Sequence, residues 1–252
     1  MKAVRPYILI IVLLAAWEIA ARSGLWSPLL FPSLERIVME LWLFVSRPDG
    51  WWQAWVSLYR TLGGFALAAV AGGALGMLMG RSPFIAGLLD PLFSGTYAVP
   101  KLALFPIFIF VFGLGSLSKV ALIFLECLYP MTIITYHGAR DVNPVFIWSA
   151  QNMGASRLRT LVRVVFPAML PYIFAALRVA LPVALIVAII TEMISSVDGL
   201  GYVVSYSLSS LKTDRMLAVV VVISALGLVL DHALVALRNR LVYWEKLDTF
   251  YV

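Results

Sequence analysis

Three ionisable residues, Lys101, Glu126 and Glu192, stand inside stretches that are otherwise apolar. A charge in hydrocarbon costs about 2.5–3.5 kcal/mol on insertion scales, so each is expected to face protein or water. Side chains so placed line routes for polar solutes or pair with one another, and Lys101 is a candidate partner for either carboxylate. Pro100, beside Lys101, and Met193, beside Glu192, complete the candidate pathway set. The structural alternatives are a lysine snorkelling from a helix end and carboxylates hydrogen-bonded between packed helices. A second kind of work is mechanical. Residues 137–178, HGARDVNPVFIWSAQNMGASRLRTLVRVVFPAMLPYIFAALR, place a basic segment punctuated by glycine and proline between two long apolar runs. It is too short to be a domain, and it suits a knob held out to a soluble partner.

Covalent chemistry has no visible home. The chain has no G-x-x-x-x-G-K-[ST] phosphate loop, no H-x-x-x-H and no G-x-S-x-G, so no catalytic residue is expected. Cys127 is the only cysteine, which excludes an intrachain disulfide and any cysteine-based metal site. His137 and His232 lie apart, near helix ends, where local hydrogen bonding is the ordinary role. No metal and no cofactor is expected in this chain.

These residues must be positioned by helices in a bilayer. Of 252 residues 62% are hydrophobic and only 13% charged, and the mean hydropathy is +0.97. Too little polar surface exists to wrap a soluble core, and the ~10-residue alternating strands of a membrane barrel are absent. The net charge of +6 does not point to nucleic acid, because the Lys and Arg stand singly between apolar runs. At ~1.5 Å per residue across a ~30 Å hydrocarbon core, six spans are expected near residues 7–21, 57–80, 92–112, 119–136, 171–195 and 216–236. The first is short, carries Glu18, and is read as a retained helix rather than a cleaved leader.

With the N-terminus inside, Lys2, Arg5, Arg81, Arg140, Arg157, Arg159, Arg163, Arg238, Arg240 and Lys246 fall on the cytoplasmic side. Arg22, Arg36, Arg47, Arg60, Lys119, Lys212 and Arg215 fall outside, diluted by acidic residues in longer loops. That bias favours both termini in the cytoplasm. Residues 22–56 then form an external segment with an amphipathic interfacial helix, Ser33 as its N-cap, and Trp51, Trp52 and Trp55 at headgroup level. Span two carries small residues at every fourth position, Gly64, Ala68, Gly72, Gly76 and Gly80. This smooth stripe lets a neighbouring helix, or a second copy, approach closely. Pro91, Pro100 and Pro106 break span three. Asp231 is expected to pair with Arg178 or Arg238.

In residues 137–170 the pair Asn143-Pro144 reads as a helix start, with Asn as cap and Pro at the first helical position. A short helix is expected to reach Met153, Gly154 to allow a tight turn, and a second helix to run from Ala155 to Val165, ended by Pro167 and Pro171.

At these residues the chain resembles the inner-membrane permeases of ATP-binding-cassette importers, whose cytoplasmic signature is E-A-A-x-x-x-G followed by I-x-L-P. Here Ala150, Gly154 and Pro167 match, whereas Trp148 replaces the usual glutamate and Ser149 the first alanine. The likeness extends to the nitrate/sulfonate/taurine-type subfamily through 30-LFPS-33, 57-SLYRTLGGF-65, 99-VPKLALFP-106, 112-FGLG-115, 118-SK-119, 154-GAS-156, 192-EM-193 and 199-GLGY-202. The resemblance implies an all-α, six-helix type I (MetI-like) importer fold in a single domain of the inner membrane, acting as a homodimer. It implies two cytoplasmic ATPase subunits that bind ATP and Mg, and a periplasmic or lipid-anchored solute-binding protein. It also implies that Val145, Trp148, Ser149, Ala150, Gly154, Ala155, Ser156, Arg157 and Pro167 couple this chain to the ATPase; because Trp148 departs from the family's glutamate, it is expected to fill an apolar groove in place of an ion pair. The expected cargo is nitrate, a sulfonate, taurine or a small heterocycle. A secondary transporter or a membrane scaffold would need no such glycine- and proline-bounded helix there.

Overall fold

Residues 5–244 are described here by a computed structural model, and their regular structure is entirely helical. Lys2 and Lys246, used for the orientation expectation, lie outside the described residues, as does the side chain of Arg5. The helices are α1 (Arg5–Arg22), α2 (Leu34–Ser46), α3 (Pro48–Arg81), α4 (Pro83–Thr96), a 3-10 turn (Lys101–Leu104), α5 (Phe105–Phe112), α6 (Ser116–Arg140), α7 (Pro144–Asn152), α8 (Arg157–Thr160), a π turn (Leu161–Val165), α9 (Phe166–Ser195), α10 (Leu200–Ser209) and α11 (Thr213–Leu241). Four continuous helical stretches are long and apolar enough to cross a membrane: Pro48–Arg81, Ser116–Arg140, Arg157–Ser195 and Thr213–Leu241. A fifth arises if α4 and the Lys101–Phe112 pair, bent by 87°, count as one span. Helix α1, with Arg5, Glu18 and Arg22 in 18 residues, falls outside that set.

The chain divides into two compact units, one taking the residues up to Tyr59 with Ile189–Leu226, the other Arg60–Ala188 with the residues from Gly227 onward. In the first unit Phe44, Leu200, Val203, Val204 and Val219 form the core. Ser33 occupies the N-cap position of α2 but its side chain makes no cap bond. The Glu18 carboxylate accepts from Leu34 N at 2.8 Å instead, while also pairing with Arg22. An acid beside the positive end of a helix does the cap's work electrostatically. Trp51, Trp52 and Trp55 are exposed, yet they ride on the first turns of α3, which begins nine residues before the expected start of span two.

In the second unit the glycine stripe meets α6 of the same chain. A Cβ at Gly64 would lie 2.6 Å from Ile123 Cβ, at Gly72 2.6 Å from Met131 Cβ, at Gly76 2.5 Å from Thr132 O, and at Gly80 2.5 Å from Ala139 Cβ. The two backbones approach too closely for any side chain between them. Sequence reading did not single out a second stripe, Ala176, Ala180, Ala184 and Ala188 on α9. All four are fully buried, with Leu122, Ile123, Cys127 and Met131 of α6 in the same core. Without a hydrophobic drive between helices in lipid, such close contact is the main source of cohesion.

The second proline expectation is corrected. Pro167 and Pro171 end no helix; α8, the π turn and α9 run as one stretch, with Pro171 and Pro182 inside it. Phe166 N donates to Leu161 O, five residues back. This wider turn stands immediately before Pro167, where α spacing would set the proline ring against the carbonyl four residues back.

Candidate functional site

The elbow is built by caps. Asn143 Oδ1 accepts from Val145 N at 2.9 Å, and Pro144 occupies the first helical position, where no amide partner is missed. At the other end Gly154 N donates to Gln151 O and Ala155 N to Ala150 O, the paired bonds of a Schellman close. This close needs a left-handed residue, and Gly154 sits at φ +82°. Two residues on, Ser156 Oγ accepts from Arg159 N and starts α8. Both ends of α7 are thereby fixed by the sequence of the segment itself.

The faces of α7 divide the work. Ile147 is buried in a cluster with Ala139, Val142, Val165 and Met169, which fastens α7 to the ends of α6 and α9; Ala150, one turn on, is also buried. Val145, Trp148, Ser149, Gly154, Ser156 and Arg157 are exposed, and Ala155 and Pro167 are half-buried. Trp148 is 59% exposed and is not buried against the rest of this chain. Phe146, Met153 and Leu158 add exposed apolar surface that the motif did not flag. Large exposed apolar side chains gathered in one place are the composition of an interface core.

The pathway candidates fall in two places. Lys101 and Glu126 line one cavity of about 520 Å³ with Tyr97, Pro100, Tyr129 and Val183. They do not form the expected ion pair. Lys101 Nζ lies 3.9 Å from the Tyr129 ring centroid and reaches Tyr97 O and Val99 O at 3.4 Å. The helix break at residues 97–100 supplies those carbonyls, which an unbroken helix would have used internally. In the same unit Asp231 pairs with Arg178, Nε to Oδ1 at 3.2 Å.

Glu192 belongs to the other unit and is fully buried. Ser57 Oγ donates to its Oε2 at 2.6 Å and Gly201 N donates at 3.0 Å. Ser57 Oγ also accepts from Leu200 N, and Gln53 Oε1 accepts from Gly199 N at 2.6 Å. Three amides at the start of α10 are therefore held by α3 and α9. Gly199, at φ +96°, lies where any side chain would overlap the Glu192 carboxylate. Met193, next along α9, is exposed. Nothing in the local sequence announces Ser57 and Gln53 as partners, because they lie 135 and 146 residues from the groups they bind.

An orphaned buried donor costs about 1–3 kcal/mol. Glu192→Leu, which removes the acceptor from both Ser57 and Gly201, is therefore expected to lower the thermal denaturation midpoint of the purified chain markedly, and Glu192→Gln much less. Equal midpoints for the two variants would show that these bonds do not hold α10.

Residues 68–243 match the family described as the binding-protein-dependent transport system inner membrane component. The chain is 34% identical over 240 residues to the taurine transport system permease protein TauC of Escherichia coli, covering 93% of this chain and 87% of that one. It is 31% identical to the formylaminopyrimidine transport permease protein ThiX of Halalkalibacterium halodurans, covering 97% of each chain. To the nitrate import permease protein NrtB of Synechocystis it is 29% identical, over 97% of this chain and 91% of that one. The capped elbow and the apolar helices thus lie within a shared architecture: the chain belongs to the binding-protein-dependent transport system inner membrane components, and is a multi-pass inner-membrane permease of an ATP-binding-cassette importer.

Proposed function

We propose that this permease is moved by a partner ATPase through the elbow of α7 and α8, and that Lys101 and Glu126 line the route its solute takes. In this reading the chain crosses the membrane six times, α1 and the bent α4–α5 pair included, with both termini in the cytoplasm. Two copies form a homodimer, each gripped by one cytoplasmic ATPase that binds ATP and Mg. A periplasmic or lipid-anchored binding protein delivers the solute, drawn from the taurine, sulfonate, nitrate or small-heterocycle classes.

The observation that carries the reading is the division of α7 into a buried face, Ile147 and Ala150, and an exposed face, Val145, Trp148 and Ser149. A helix capped at both ends and packed on α6 and α9 transmits a push without absorbing it. ATP binding would close the ATPases, shift this elbow, and turn α9 with it. Glu192 and Met193 would act as part of the gate that answers the shift.

Docking is tested by a thiol on the exposed face. Ser149→Cys is preferred to Ser156→Cys, because Ser156 caps α8 and its loss costs about 1 kcal/mol. Ser149→Cys is expected to crosslink efficiently to surface cysteines of the ATPase, and Ser27→Cys, in the segment read as external, is not. Crosslinking from Ser27 and none from Ser149 would place the elbow on the wrong side.

A further inference from the structure

We infer that the cavity holding Lys101 and Glu126 is a transient seat for a small zwitterion, its anionic end toward Lys101 and its cationic end toward Glu126. The inference rests on the reading of the chain as a permease and adds the charge pattern of its cargo.

Lys101 is only 7% exposed, yet among the described residues no carboxylate lies within ion-pair distance of it. Its ammonium is held instead by a ring face and two long carbonyl contacts. The ring is itself fixed: the Tyr129 hydroxyl bonds Thr96 at 2.6 Å and Phe93 packs edge-on at 5.2 Å. A cation–π contact and peptide dipoles steady a cation without cancelling its charge. Glu126 stands on α6 one turn before Tyr129 and gives the same cavity a carboxylate. A lysine and a glutamate therefore border one space of about 520 Å³ without forming an ion pair with each other. That volume lies in the usual range for small-molecule sites.

The two charges sort solutes by sign. A plain anion is attracted by Lys101 and repelled by Glu126, and a plain cation suffers the reverse. A molecule carrying both charges gains at each end and brings no net charge into the membrane. Because the Lys101 carbonyl contacts are long, at 3.4 Å, a solute anion can displace them at little loss, which suits a seat that must also release.

The test reads the cavity directly, in the purified complex of permease and ATPase. Val183 lines the cavity, and the native Cys127 is buried, so Val183→Cys supplies the reporting thiol. Its alkylation rate is measured with taurine, with ethanesulfonate (the same anion without the amine) and with ethylamine. Taurine is expected to slow alkylation about threefold or more once it exceeds its dissociation constant several-fold, and the two singly charged probes are expected to have little effect. Glu126→Gln and Lys101→Met should each abolish protection by taurine, and Tyr129→Phe, which keeps the ring, should retain it. Protection by ethanesulfonate equal to that by taurine would make this an anion seat, and protection by none of the probes would overturn the inference. Either failure in a complex that still assembles with its ATPase sinks only the zwitterion; failure to assemble at all sinks the permease mechanism.

Discussion

Gly154→Val is expected to leave ATP hydrolysis by the assembled complex near its normal rate while cutting solute uptake tenfold or more. The reason is local. A Cβ at Gly154 would meet nothing within 4 Å, so crowding plays no part. The backbone sits at φ +82°, where an L-residue pays about 1–2 kcal/mol and a β-branched one more. The chain escapes that strain by giving up the bonds from Gly154 N and Ala155 N that close α7. The elbow then bends where it should push. Gly154→Asn is the control, since asparagine tolerates left-handed backbone, and it should retain most uptake. Equal coupling in Gly154→Val and wild type would remove the elbow from the mechanism.

Gly76→Val is expected to do a different kind of harm, the loss of folded protein. Its Cβ would lie 2.5 Å from Thr132 O and 2.8 Å from Tyr136 N, both backbone atoms of α6. Neither can rotate away, so the helices must part. Overpacking of a single methylene costs about 1–3 kcal/mol, and separating the stripe also forfeits contacts at Gly72 and Gly80. Gly73 on the same helix has nothing within 4 Å of its would-be Cβ. Gly73→Val should therefore elute as a sharp peak by size exclusion in detergent, whereas Gly76→Val should be lost or aggregated. Similar behaviour of the two variants would show that the α3–α6 contact is not what holds this unit together.

Local signals were the legible ones. Asn143-Pro144 and Gly154 carry their conformations in their own chemistry, and the structure places the helix start and the turn where they indicate. The break of span three ahead of Lys101 was legible for the same reason at Pro100, but Pro91 stays inside α4, Pro106 sits in the first turn of α5, and α4 begins at Pro83 rather than near Leu92. The stripe from Gly64 to Gly80 announced a close neighbour but not its identity, since smoothness on one helix does not specify what meets it; α6 supplies side chains and backbone carbonyls in turn. Pro167 misled because proline's penalty assumes α spacing, which the π turn just before it relaxes; Pro171 is carried inside α9 without such a turn. Glu192 was visible as a buried acid, yet its partners were not. Two carboxylates of similar sequence context, Glu126 and Glu192, have different surroundings: one borders a cavity, the other fastens the start of α10.

The claim on which all of this depends is that the α7–α8 elbow converts work done by a separate ATPase into movement of solute through this chain. Proteoliposomes holding the permease alone, or the permease with its ATPase, binding protein and internal ATP, decide it by uptake of the labelled solute that the binding protein carries. Uptake is expected only in the complete, ATP-fed vesicles, abolished when the ATPase is omitted and unaffected by collapsing ion gradients. Uptake by the permease alone, driven by a proton or sodium gradient, would contradict it.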